Sequence, residues 1–160
     1  MDGARLGITG FDRVEFLIAT NRGEAPRALR SVASGGELSR ALLALKRVLA
    51  AQGPVGLYVF DEVDTGVGGA VAEVIGRKLH QVSRHHQVLC ITHLPQIAVY
   101  ADTHFQVRKE VVADRTRSAI RPLERKEREE EVARMLGGVR VGEATRRAAV
   151  EMMAAAQSEA

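Results

Sequence analysis

The chain has 160 residues, 46% of them hydrophobic, a mean hydropathy of −0.08 and a formal net charge of +3. That length supports one domain with a real core, and the composition excludes a chain disordered throughout. No apolar run approaches the ~18 residues a bilayer span needs, Met1 to Arg5 lack the basic-then-apolar order of a secretory signal, and one cysteine excludes an internal disulfide.

Cytoplasm is therefore the expected compartment, with no membrane partner. A pI near 9.4 is mildly basic, but charges of both signs are mixed through the chain, as on an ordinary solvated surface. Aromatic residues make up 4%, too few for a broad base-stacking platform.

In chain order, Phe11 to Ala19 alternates loosely and is rich in strand formers, and residues 21–26 form a turn. Ser34-Gly35-Gly36-Glu37 then opens a helix in which Leu38, Leu42, Leu45 and Leu49 recur at helical spacing. Ser34 or a neighbour caps that helix, Glu37 sits in its first turn where a negative charge suits the dipole, and residues 52–54 stop it. Leu57 to Phe60 is short and almost wholly apolar, the pattern of a strand buried on both faces. A glycine loop at 65–69 precedes a second helix carrying Val71, Val74, Ile75, Leu79 and Val82. Val88 to Thr92 is another buried strand, holding Cys90 as a small hydrophobe, and Pro95 starts a short helix. Helix-separated buried strands imply parallel βαβ units.

The last third differs. Phe105 to Val112 and Thr116 to Arg121 flank Ala113-Asp114-Arg115, and the pattern predicts a hairpin with its turn there. The mixed-charge run from Arg125 to Glu131 reads as a solvated helix face that continues into Val132, Met135 and Leu136 and stops at Gly137-Gly138. Glu143 to Ala156 is a final Ala-rich helix, and the tail after Gln157 is expected to fray. The fold class read from this order is α/β: a mostly parallel sheet flanked by helices, with a C-terminal hairpin and helices, in a single domain over 1–160.

Two motifs carry chemistry. Asp61-Glu62 ends the first apolar strand, where a buried carboxylate is costly unless a cation faces it. Mg²⁺ bound to phosphates supplies that charge, and the second carboxylate can orient or deprotonate a water for in-line attack. The plain alternative is that both acids simply enter solvent. Gly35 and Gly36 at a helix start let an anion approach backbone N–H groups closely, although S-G-G alone is a common loop. Yet none of the 15 glycines is followed by a lysine, so no G-x-x-x-x-G-K-[ST] phosphate loop is present. His93 lies just past a buried strand, where ligands of open α/β sheets bind. Asp64 reads as a turn residue or an interface residue. His80, His85, His86 and His104 fit no metal-ligand spacing, so zinc is not expected. Arg40 serves the phosphate site or faces solvent.

S-G-G-E-L-S-R, then Y-V-F-D-E-V-D-T-G, then I-T-H-L-P-Q, and finally A-R-M-L-G-G together resemble the ABC-type ATPase heads of SMC-like DNA repair proteins, specifically the C-terminal lobe, over about 11–136. The resemblance implies a P-loop NTPase-like fold and ATP as substrate with Mg²⁺. It implies that Ser34, Gly35, Gly36 and Glu37 form the signature that contacts the nucleotide of an opposite head. Asp61 becomes the Walker B aspartate holding Mg²⁺ through water, Glu62 the catalytic glutamate, Asp64 the D-loop residue at the head–head interface, and His93 the switch histidine that senses the γ-phosphate. The implied partners are an N-terminal Walker A lobe, a second head, and DNA through the full-length assembly, in a nucleoid-associated setting. The missing phosphate loop and coiled-coil arms lead us to expect a C-terminal fragment, a split-gene product or an engineered piece. Such a chain would hydrolyse little ATP alone and would expose a sheet edge and an apolar patch. Two further readings are a non-catalytic module docking on an intact head or on DNA, and an inactive remnant.

Overall fold

The computed structural model describes residues 10, 14–19, 23–31, 34–49, 55–112 and 115–158. The expected stop at 52–54, the hairpin turn at 113–114 and the start of the first strand lie outside them. Two short strands, β1 (Leu17–Ile18) and β2 (Arg27–Ala28), pair antiparallel, and a 3-10 turn at Leu29–Ser31 follows. The glycine-led helix is α1 (Gly35–Leu49). It is followed by β3 (Leu57–Phe60), α2 (Gly69–Ser83), β4 (Gln87–Cys90) and the four-residue α3 (Pro95–Ala98). β5 (Phe105–Val112) and β6 (Arg115–Pro122) form the hairpin, and α4 (Arg125–Gly137) and α5 (Glu143–Ser158) close the chain.

The sequence order β3–α2–β4 gives a parallel pair, with Leu57 opposite Gln87 and Phe60 opposite Cys90. This is the βαβ unit that the apolar runs predict. It is the one parallel pair among the described residues; β1–β2 and β5–β6 are antiparallel two-stranded sheets. The architecture is thus α/β with three small sheets, and the mostly parallel sheet is present only as this pair.

Two apolar clusters hold the chain. Under the parallel pair, Leu43, Phe60, Val63, Ile75, Leu79 and Ile97 pack together. Val99 joins Val132, Ala133, Ala149, Met153 and Ala156 in the second, between α4 and α5. Gly76 lets α2 and α3 touch: a Cβ there would lie 2.6 Å from the Tyr100 ring and 2.9 Å from the Gln96 carbonyl. α4 starts with a reciprocal capping box between Glu124 and Glu127 and ends at Gly138, whose φ of +66° suits glycine. Arg128 of α4 donates to the carbonyls of Ala98 and Val99 at 3.3 and 3.0 Å, satisfying the open end of α3.

Burial departs from the sequence reading in four places, one of them α2, where Val71 and Val74 are exposed while Ile75, Leu79 and Val82 are buried. β3 buries Phe60 but exposes Leu57 and Val59, and Leu89 of β4 and Ile91 just after it are exposed as well, so one face of the pair is bare. In α1 the expected stripe is also bare: Leu38, Leu42 and Leu45 are exposed, while Leu43 enters the core. Periodicity identifies a helix and its apolar stripe, but a second layer is needed to bury that stripe, and the described residues supply none. The charged run of α4 is more than a solvated face: Glu131 is buried and receives Gln106 and Arg134. No helix among the described residues is long and apolar enough to cross a membrane.

Candidate functional site

Parallel β3 and β4 both run out at the same end, and the helix start of α1 meets them there. The Ser34 hydroxyl accepts the Glu37 N–H at 3.2 Å, so it caps α1 as expected. The Ser39 hydroxyl donates to the Asp61 carbonyl at 2.9 Å, and Arg40 donates to the carbonyls of Val63 and Thr65 at 3.3 and 2.9 Å. These three bonds, from the second turn of α1, dock the helix on the loop after β3. They also give Arg40 its role: it ties that loop to α1.

The two glycines at the start of α1 serve the same docking. A Cβ on Gly36 would sit 2.9 Å from the Glu62 carbonyl and 3.1 Å from Thr65 Cβ. A Cβ on Gly35 would meet the Glu62 carboxylate at 2.5 Å. Gly36 is buried, whereas Ser34 and Gly35 are exposed and Glu37 is half-exposed. Close approach of backbone is what glycine permits, and here the approaching group is the chain's own 62–65 loop.

Asp61 and Glu62 are both exposed at the end of β3. Asp61 Oδ1 accepts the Glu62 N–H at 2.9 Å. Glu62 has a φ of +58°, the one left-handed residue other than glycine among the described residues. An exposed carboxylate at a strand end, with one oxygen satisfied by backbone, fits a hard divalent cation held through water.

Asp64 is the best-anchored group of the site. It is 4% exposed. Its Oδ2 accepts the Thr92 hydroxyl at 2.7 Å, the His93 N–H at 2.9 Å and His93 Nδ1 at 2.9 Å. Burial alone would raise the carboxyl, but the Thr92 hydroxyl, the His93 N–H and the charge of His93 outweigh it and hold the group below its ordinary range. A carboxylate only accepts, so Nδ1 carries the proton and the other ring nitrogen faces outward on a side chain that is 75% exposed. Asp64 is buried within this chain and orients His93. Thr92 was missed by sequence reasoning; its signal was a hydroxyl beside the histidine at the end of an apolar run.

The remaining titratable groups are structural. Cys90 packs against the first cluster, and burial pushes its thiol up to about 12, so it stays protonated. His80 Nδ1 lies 3.1 Å from the Tyr100 carbonyl, and His86 Nδ1 lies 2.9 Å from that of Val55. His104 is half-buried beside Arg128, and desolvation, with the Arg128 charge, holds its pKa down.

No family model matches the chain. Among characterised proteins it is similar to the DNA repair protein RecN of Bacillus subtilis, with 51% identity over 144 residues, 90% of this chain and 25% of the relative. It is equally similar to the DNA repair protein RecN of Xylella fastidiosa, again 51% over 144 residues, 90% of this chain and 26% of that protein. A solved chain from work on ATP-driven dimerization and DNA-stimulated activation of SMC ATPases aligns with 68% of this chain and 64% of its own length, at 21% identity and a TM-score of 0.48. The chain spans about a quarter of the length of the curated relatives it matches.

Proposed function

We propose, for a chain that resembles RecN-type DNA repair proteins along nine-tenths of its length, that it is the C-terminal half of an SMC-like ATPase head acting in recombinational repair of double-strand breaks. The observation that carries the reading is convergence. The helix start at 34–37, the carboxylates Asp61 and Glu62 and the anchored His93 all gather at one end of the parallel pair. Ligands of open α/β sheets bind at that end.

Asp61 would hold Mg²⁺ through water, and the ion would neutralise phosphate charge when bound. Glu62 orients the attacking water and takes its proton. His93, kept in one orientation by Asp64, presents its outer ring nitrogen to the γ-phosphate. Ser34, Gly35, Gly36 and Glu37 reach the nucleotide of a second head, which requires the 62–65 loop to yield the N-terminus of α1. An N-terminal Walker A lobe completes the head in the cytoplasm and covers the bare faces of α1 and β3–β4; the full-length assembly brings DNA.

The test is ATP hydrolysis by the chain with and without a separately expressed Walker A lobe. We expect background turnover alone, turnover in the mixture, and a loss of about 10²-fold or more on Glu62→Gln with nucleotide-bound dimers retained. Equal turnover by wild type and Glu62→Gln would remove the assigned role.

A further inference from the structure

The ribbon formed by β5 and β6 takes no part in the site above. Residues directly opposite in an antiparallel pair share a face. Gln106 faces Arg121, Arg108 faces Ala119, Glu110 faces Arg117 and Val112 faces Arg115. One face therefore carries four arginines against a single glutamate. The other face carries Phe105, Val107 and Ile120, all exposed, and Lys109. β6 is exposed at every residue.

One of the four arginines is held in a close ion pair. Arg121 is paired with Glu127 at 2.6 Å. Among the described residues no acid lies within ion-pair distance of Arg108, Arg115 or Arg117. At the ribbon root the basic face runs into an open groove of about 650 Å³ against α4 and α5. Its lining holds Arg108, Arg121, Lys126, Arg134 and Arg146 against three glutamates, so the positive excess continues. The tract is rich in arginine, whose planar fork suits phosphate oxygens, and it presents no aromatic ring for stacking bases.

We propose that this basic ribbon face is a duplex-DNA contact surface, with Arg108, Arg115 and Arg117 taking backbone phosphates. Same-face positions along a strand recur about every 6.8 Å, and the arginines from Arg115 to Arg121 cover about 20 Å. That spans roughly six nucleotide steps of one duplex strand. A two-stranded ribbon is also of a size the major groove admits. The surface deepens the DNA-repair reading by giving it a place of contact, and it rests on that reading only for the choice of duplex over other polyanions.

The test measures binding of the full 160-residue chain to a short labelled duplex across a salt series, without nucleotide. The variant Arg108→Gln/Arg115→Gln/Arg117→Gln should reduce the slope of log affinity against log salt by about 2.7, which is about 0.9 per lost phosphate contact. The variant Arg84→Gln/Arg140→Gln/Arg147→Gln has the same net charge and should keep the wild-type slope. Circular dichroism melts check folding, and the single change Arg117→Gln, with an expected slope loss of about 0.9, decides the matter if the triple variant does not fold. Absence of wild-type binding overturns the proposal, as does equal weakening by both triple variants. Competition by anionic vesicles or an acidic peptide as strong as by duplex would also overturn it. ATP is absent from this assay, so its failure leaves the ATPase reading standing, and failure of a completed head to hydrolyse ATP leaves the ribbon result standing.

Discussion

Glu62 occupies a conformation that glycine adopts freely and other residues rarely do. The left-handed region costs a residue with a Cβ about 1–2 kcal/mol. Among the described residues its side chain makes no hydrogen bond that would offset this cost. Glu62→Gly should therefore raise the thermal midpoint, by a gain of about 0.5–1 kcal/mol after the extra chain entropy of glycine, whereas Glu62→Gln should not. A lower midpoint for Glu62→Gly than for Glu62→Gln in the same melt would show that the backbone there is unstrained. Asp64 works in the opposite sense. Its folded pKa lies below the ordinary carboxylate value, so its contribution is present above about pH 4 and fades as pH falls through the folded pKa. Asp64→Asn should cost about 1–3 kcal/mol at neutral pH, and urea melts should show that gap shrinking toward pH 3. A gap independent of pH would mean that the loss is one of packing alone. The placement of Asp61, Glu62 and His93 just past β3 and β4 was legible in sequence, because each follows a short apolar run. The Asp64–His93 bond was not, since it joins residues 29 apart through the crossover of a helix.

At the level of elements, local signals carried well. The Ser34 cap, the glycine stop of α4, the short helix from Pro95 and the hairpin each follow from neighbours in sequence. What failed was burial. Leu38, Leu42 and Leu45 repeat at helical spacing and still face outward, because periodicity reports which face is apolar and not what covers it. Gly35 and Gly36 show the same limit: the sequence suggests an anion site, whereas the contact observed at Gly36 is the docking of α1 on the 62–65 loop. Gly76 makes the clearest element-scale case. A methyl group there collides with Tyr100 and with the backbone of α3, and neither the Gln96 carbonyl nor Ile97 Cα can move without shifting the helix. Gly76→Ala should destabilise the chain by about 1–3 kcal/mol despite its higher helix propensity. A chemical-denaturation midpoint equal to or above wild type would show that α2 and α3 separate easily.

Over the whole molecule, the bare faces of α1 and β3–β4 and the apolar face of the ribbon lie on a chain that spans a quarter of its relatives. The two apolar clusters meet at α3. Ile97 belongs to the first and Val99 to the second, two residues apart, and His93 lies four residues before Ile97. From the other side, Gln106 and Arg121 of the ribbon grip Glu131 and Glu127 of α4, and Arg128 of the same helix grips the carbonyls of Ala98 and Val99. In mechanical terms α4 is a lever with the ribbon on one arm and α3 on the other. One helix thus holds both the ribbon and the end of α3, in the segment that follows His93.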